Sequence, residues 1–578
     1  MGAQLDLVFL WHMHQPDYRD HVAGRGLAAG GEAVPGDSFR LPWVYLHAFK
    51  DYVDMAAHLE RHPTIRCVVN FVPVLLDQIE DYADQFATAR FRDPLLRLLA
   101  TPDLGAISRA DRRLLLDTCF RSNHVTMLEP FPHYQRLHEL YTRLTAEGGA
   151  ALDYLSGAYY SDLVTWYHLA WSGETERRRN PLLPSLMSKG EAYDFSDRHA
   201  LLDAIGEVIV GLIPRYRALA ERGQIELTAT PETHPLSPLL IDFKSARESL
   251  PEAARPAAAG YPGGHARVQA QINDAQASHA RRFGAPPAGM WPAEGAISEP
   301  FVRHLAGAGV RWIASGEGVL RNSLAASGFA EHLPLHAYAS YRPWQLPGAP
   351  GLTLFFRDER LSDLIGFDYA QWHGRDAAGH LVAQLEAILD NAQEGENPVV
   401  GIILDGENAW EHYPYNGYYF FEDLYTLLAA NPRIRTTTYS DVLGETRPAA
   451  ELPRLTAGSW VYGTLSTWIG DAQKNRAWDL LCAAKHSYDL IIAGGRLSAE
   501  ESALATRQLA ICESSDWFWW FGDYNPAAAV ESFDRLYRGN LARLYRLLKL
   551  EPPVQLDIPL SSGAETIAST SGTMRRAT

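Results

Sequence analysis

Four short segments of this chain carry more chemistry than turns of their length need. In Ile402-Ile403-Leu404-Asp405-Gly406-Glu407-Asn408-Ala409-Trp410-Glu411-His412 a wholly apolar run ends in three carboxylates, an amide and an imidazole. A second acid, Glu294, follows Trp291 by three positions in Gly289-Met290-Trp291-Pro292-Ala293-Glu294-Gly295, and a sugar ring could stack on that tryptophan. Glu294 also reads as an acid opening a helix over Glu294–Leu305, where a negative charge is favoured anyway. The third segment, His12-Met13-His14-Gln15-Pro16, sets two histidines two apart at a strand end, pointing to one side. They could meet a metal or sugar hydroxyls, or simply be satisfied by neighbouring carbonyls. HExxH and similar zinc patterns are absent, so no metal is expected. The fourth, Glu513-Ser514-Ser515-Asp516-Trp517-Phe518-Trp519-Trp520-Phe521-Gly522-Asp523, mixes acids with aromatics inside a helical region. As a core helix it would bury charge at a cost; as a flap it would bring Asp516 and tryptophan faces to a carbohydrate.

Acids from different strand ends could converge at one barrel mouth. They would then supply a nucleophile and a proton donor, which retaining glycosidases hold roughly 5 to 5.5 Å apart. One must stay ionised while the other keeps its proton near neutral pH, which burial and mutual repulsion can arrange.

Such acids need strands to carry them. Short apolar runs end abruptly in polar clusters at Leu5–Trp11, Cys67–Phe71, Ile225–Ala229, Arg311–Ala314, Thr353–Phe356 and Val399–Leu404, the signature of buried parallel strands. Helical periodicity lies between them, as in Trp43–Leu59, Ser196–Glu221 and Gly379–Ala392. This alternation predicts an α/β fold whose site sits at the strands' C-terminal ends. A doubly wound sheet is the alternative, but neither GxGxxG nor GxxxxGK[ST] follows the first strand. After Arg447-Pro448-Ala449-Ala450 the pattern becomes helical at Ala472–Ile492, Ala499–Ser514 and Pro526–Leu548. Gly24–Gly36 and Glu252–Gly264 read as loops. The expected division is 1–445 for a barrel with helical insertions, 446–560 for a C-terminal helical domain reaching the active site, and 561–578 for a flexible tail.

The 578 residues suffice for a large core, and 47% of them are hydrophobic. A formal net charge of −17 repels phosphate backbones, so no nucleic-acid partner is expected. The four cysteines are scattered without a CxxC pair, which predicts reduced, buried thiols. The N-terminus lacks a basic region and a cleavage site, and no apolar stretch is long enough to span a bilayer. A cytoplasmic protein without a membrane partner is expected.

Taken in order, these segments resemble the signature regions of glycoside hydrolase family 57: His14–Pro16, Gly223–Glu226, Trp291–Glu294, Asp405–Glu407 and Ser515–Trp517. The resemblance implies an incomplete (β/α)7 barrel followed by a helical domain, a retaining mechanism and no metal or other cofactor. It implies Glu294 as nucleophile and Asp405 as general acid/base, with His14, Glu226, Trp291 and Asp516 contacting an α-glucan substrate. His12, Trp410, His412 and Trp517 complete the expected substrate-binding set, with Trp291 and either Trp410 or Trp517 stacking on ring faces. Where the family's glucanotransferases have a tryptophan seven residues after the acid, this chain has His412, which resembles the α-amylase and amylopullulanase branch. Arg357–Phe367, Gly458–Trp460 and Trp468–Trp478 resemble a bacterial subgroup named α-amylase or α-mannosidase-like. The expected activity is hydrolysis of a maltodextrin, starch or glycogen type of glucan. A 4-α-glucanotransferase or branching enzyme is the alternative within the family; an inactive glucan-binding protein is the alternative outside it. A metal-dependent deacetylase or α-mannosidase would fit His12 and His14.

Overall fold

Strands buried on both faces have no use for polar alternation, and the first one follows that rule. All nine residues of β1 (Leu5–Met13) are buried. Six further strands run parallel to it or to its neighbours: β2 (Cys67–Phe71), β3 (Ile225–Ala229), β4 (Gly289–Met290), β5 (Trp312–Gly316), β6 (Thr353–Arg357) and β7 (Val399–Asp405). Arg357 of β6 pairs with Gly401 of β7, and Asp358 N donates to Gly401 O at 2.8 Å, which closes the seven strands into a barrel. The short strand β8 (Ile434–Thr436) pairs with Leu5–Leu7 at the N-terminal end of β1, while the C-terminal end of β1 pairs with β2. The computed structural model describes residues 4–563 apart from 21–25, 28–32, 35–37, 329–337, 393–395 and 446.

Six of the seven barrel strands are legible as apolar runs. The exception, β4, is two residues long and too short to show a period. Yet it carries the turn with Glu294, so the barrel's least legible strand holds one of the two candidate acids.

Helices fill the long insertion between β2 and β3, from α1 (Pro73–Thr88) to α2 (Phe195–Glu221). After β3 comes α3 (Gly264–Phe283). Beyond the barrel, α4 (Ala472–Ala493), α5 (Ala499–Cys512), α6 (Asp516–Trp520) and α7 (Ala527–Leu547) pack together. The four cysteines are buried and free. Among the described residues no helix is long and apolar enough to cross a membrane.

The chain between barrel and helices is stitched into the barrel. Ala450–Glu451 pairs with Trp344–Gln345, and Ile297 bridges Gly458. Gly316 lies so close to this crossing that a Cβ there would fall 2.6 Å from Trp460 Cα. Ser561, where the tail was expected to begin, is instead buried, its hydroxyl accepting from Gly522 N at 3.2 Å. Residues 564–578 of that expected tail, and most of the Gly24–Gly36 loop, lie outside the described residues.

Candidate active site

At the C-terminal ends of the strands lies a cleft of about 1160 Å³, lined among others by His12, His14, His234, Glu294, Asp405 and Asp516. Asp405 is the last residue of β7, in register with His12 at the end of β1. The turn that follows is pressed flat: Gly406 N donates to His12 O at 2.7 Å, and a Cβ on Gly406 would sit 2.1 Å from Met13 Sδ. Asn408 Nδ2 donates to Asp405 Oδ2 at 2.9 Å.

Glu294 leaves β4 through a tight turn in which it adopts φ 59° and ψ 21°, a left-handed conformation that costs a non-glycine residue about 1 kcal/mol or more. Two backbone hydrogen bonds hold the turn in place. Trp460 N donates to Glu294 O at 3.0 Å, and Gly295 N donates to Pro292 O at 2.8 Å. The side chain is 15% exposed. Trp460 Nε1 donates to its Oε2 at 3.0 Å, and Ser515 Oγ lies 3.5 Å from its Oε1.

Electrostatics couple the two acids. Burial, then the charges of Asp405 and Asp516, push the Glu294 carboxyl up to about 8, against the hydrogen bonds from Trp460 and Ser515. Burial also raises Asp405, while Asn408, His14 and Arg357 pull it back. The pair therefore titrates jointly, and a proton taken by one favours ionisation of the other. Glu407, buried behind Asp405, is pushed well above the usual carboxylate range by burial and by that neighbour. It accepts from His14 N and Gln15 Nε2, both at 3.2 Å.

The C-terminal helices complete the cleft. Ser514 bridges Pro235, and Ser515 N donates to His234 O at 2.8 Å, which docks the start of α6 on the loop after β3. His14 Nε2 thereby meets both oxygens of Asp516, at 3.0 and 2.9 Å, and its ring stacks on His234 with centroids 3.8 Å apart. His14, His234 and Asp516 form the one group of metal-ligand type among the described residues. Their atoms are already engaged: His14 with Asp516, and His234 with His12 at 3.1 Å and Ser515 at 2.7 Å. The three side chains thus form one hydrogen-bonded network, in which His14 Nδ1 alone of the four ring nitrogens has no partner.

Of the residues expected at the substrate, the structure brings Glu294, Asp405, His12, His14 and Asp516 together and sends the others elsewhere. Glu226 is the second residue of β3 and faces the opposite, N-terminal end of the barrel, where it accepts from Trp312 Nε1 at 2.7 Å and Ser440 Oγ at 2.6 Å. Trp291 is fully buried beneath the cleft, edge-on to Trp460. Trp410 is buried against Phe421 and donates its indole N–H to Gly406 O at 2.9 Å, bracing the turn that carries the acids. Trp517 is buried and donates to Ile511 O at 2.9 Å. None of the three offers a free face to a sugar. His412 lies away from the cleft lining, beside Asn123 at 3.1 Å. The aromatics that do line the cleft are Tyr18, Phe367, Trp460, Tyr462, Trp519, Trp520, Tyr524 and Phe533.

Sequence reasoning gave no site role to His234, Trp460, Ser515 and Asn70, although Trp460 and Ser515 lie in segments that carry the family resemblance. His234 had a visible signal, because Thr230-Pro231-Glu232-Thr233-His234-Pro235 follows an apolar strand as His12 and His14 do. Asn70 sits inside an apolar run and had none.

Comparison with known proteins follows this geometry. The family model described as glycosyl hydrolase family 57 matches residues 8–453. Among solved structures, the chain is similar to a GH57-type branching enzyme from Pyrococcus horikoshii, with TM-score 0.57, 15% identity, and coverage of 94% of this chain and 89% of that one. It is similar to an α-amylase from Thermotoga maritima, with TM-score 0.55, 15% identity and coverage of 94% and 93%. It also resembles a 4-α-glucanotransferase from Thermococcus litoralis, with TM-score 0.51, 14% identity and coverage of 94% and 60%. At such identities the likeness is one of fold.

Proposed function

The chain belongs to glycosyl hydrolase family 57, and from that premise we propose that it cleaves α-glucans with retention of anomeric configuration, using Glu294 as nucleophile and Asp405 as general acid/base. The observation that carries this reading is the convergence of the two carboxylates. They come from separate strand ends, line one cleft, and lie near enough for the charge of Asp405 to raise Glu294. Donors surround the two acids unequally. Glu294 faces the Trp460 indole N–H and the Ser515 hydroxyl, which favour its ionised form, while Asp405 accepts from the Asn408 amide. Asp405, protonated, donates to the glycosidic oxygen as Glu294 attacks the anomeric carbon. The proton that Asp405 loses is regained from the water or sugar hydroxyl that resolves the glycosyl-enzyme. His14 and Asp516 sit where they can hydrogen-bond sugar hydroxyls.

A second reading, transfer to another glucan, is favoured by the tryptophans and tyrosines of the cleft wall. Trp519, Trp520 and Tyr524 can hold an acceptor ring that competes with water for the intermediate. The sequence pointer towards hydrolysis, His412, does not reach the cleft.

Incubation with maltoheptaose, pullulan and glycogen, with early products followed by proton NMR and chromatography, tests both. Retained configuration with shortened products is expected for hydrolysis, and longer or branched products for transfer. Net inversion would overturn the assigned carboxylate roles, and binding without turnover would leave a glucan-binding protein.

A further inference from the structure

Behind Glu294 a row of buried polar groups runs inward from the cleft, and its atoms can be followed one proton at a time. Ser515 Oγ lies 3.5 Å from Glu294 Oε1 and 2.7 Å from His234 Nδ1. His234 Nε2 faces His12 Nε2 at 3.1 Å, and His12 Nδ1 faces the side-chain amide of Asn70 at 2.7 Å. The same amide atom lies 3.0 Å from Thr230 Oγ1, which is 2.8 Å from Trp291 O.

The last contact fixes the direction of all the others. Thr230 has one hydroxyl proton, and the shorter of its two contacts is to a backbone carbonyl that can only accept, so the proton goes to Trp291 O. Thr230 therefore offers Asn70 only lone pairs. With Oδ1 at that position, two acceptors would face each other, and Asn70 Nδ2 would stay buried without a partner. Which amide atom is N and which is O is decided by the hydrogen bonds around it, and here they call for Nδ2. The rotated amide leaves Oδ1 unpaired instead, which native structures tolerate better than an unpaired N–H. Asn70 then donates to both Thr230 Oγ1 and His12 Nδ1. Burial holds His12 down at about 3 and His234 well below the usual range, so each ring is neutral, with one N–H and one lone pair. Accepting at Nδ1 forces His12 to donate from Nε2. His234, accepting there, donates from Nδ1 to Ser515, and the Ser515 proton is left with one destination, Glu294.

We propose that Thr230, Asn70, His12, His234 and Ser515 form a one-way hydrogen-bond relay that presents a donor to Glu294 and so favours its ionised, nucleophilic form. These are positioning residues. The inference rests on the nucleophile role proposed above and adds what maintains it. The groups that also face Glu294 are Asp405 and Asp516, which oppose ionisation, and the Trp460 indole N–H, which assists it; His234 Nδ1 itself lies 3.9 Å from Oε1, Arg357 sits over the Trp460 ring, 5.5 Å from its centroid, and His14 stacks on His234.

The test compares Ser515→Ala, which removes the last donor, with Thr230→Val, which releases the far end without touching the cleft; Thr230→Ser is the restoring variant. The pH dependence of kcat/KM on maltoheptaose is measured alongside the titration of Glu294 by carbon-13 NMR of glutamate-labelled protein, its signal identified by loss in Glu294→Gln. In both variants the acidic limb and the Glu294 titration should move up by about one pH unit, the effect of one weak hydrogen bond to a charged group. Thr230→Ser should keep the original profile. An unmoved or lowered titration in folded Ser515→Ala and Thr230→Val overturns the relay, and either variant decides alone if the other does not fold. The NMR arm needs no turnover. An inactive protein whose Glu294 titration still rises in these variants would keep the relay and sink the proposed function.

Discussion

Glu294 bears a double burden, a left-handed backbone and a carboxyl in a site that disfavours its charge. The second burden gives a signed prediction. A carboxyl raised from 4.5 to about 8 on folding binds a proton more readily in the folded than in the unfolded chain. Its contribution to stability is therefore present at low pH and lost as pH climbs through that window. Glu294→Gln cannot ionise and escapes the loss. Its thermal unfolding midpoint should exceed that of the parent protein by an amount that grows from pH 5 to pH 8 and then levels off. Turnover on maltodextrin should fall roughly 10⁴-fold or more, the scale for removal of a nucleophile. Scanning calorimetry across pH and a reducing-sugar assay measure the two halves. Near-normal turnover would exclude Glu294 as nucleophile, and a pH-independent gap would remove the charge penalty.

At the scale of elements, two contacts are open to test. Helix α1 ends at Ala89 in a left-handed conformation with φ 52°, where alanine carries a Cβ penalty that glycine lacks. Ala89→Gly should raise stability by about 0.5–1 kcal/mol in denaturant titration without changing activity; a loss of stability would mean that the terminus is held by something other than its backbone. The second contact joins barrel and helical region. Glu513, fully buried, accepts from Arg267 of α3 at 2.6 and 3.0 Å, from Gln271 at 2.8 Å and from Tyr261 at 2.7 Å, immediately before the segment that delivers Ser515 and Asp516. Arg267→Met leaves that carboxylate buried and short of its cation, at a cost of about 3–5 kcal/mol. It should lower kcat as well, because the start of α6 loses its anchor. Arg267→Met combined with Glu513→Met should regain much of the stability. A single variant as stable as the parent in urea would show that the ion pair does not hold the segment.

For the whole molecule, the barrel's mouth and the C-terminal region form one site. Residues 1–445 contain both acids, yet they lack Trp460, which holds the carboxylate and the backbone of Glu294, and Asp516, which pairs with His14. A chain ended after residue 445 should be unstable and inactive by circular dichroism and by the glucan assay. A folded, active fragment would refute the shared site. The sequence by itself determined the strands long enough to show a buried apolar run, the helices of the C-terminal region, and the acids that end β7, because these follow from local periodicity and from charge placed where apolar pattern stops. Only the tertiary structure decided which neighbours of those acids face the cleft. Glu226, Trp291, Trp410 and Trp517 lie in or beside segments that resemble the family's signatures, but position along a strand and burial turn them away from the cleft. His234, Asn70 and Trp460 reach Glu294 or the relay behind it because barrel closure and the docked C-terminal chain bring distant residues within hydrogen-bond reach, a property of three dimensions that no spacing along the chain encodes.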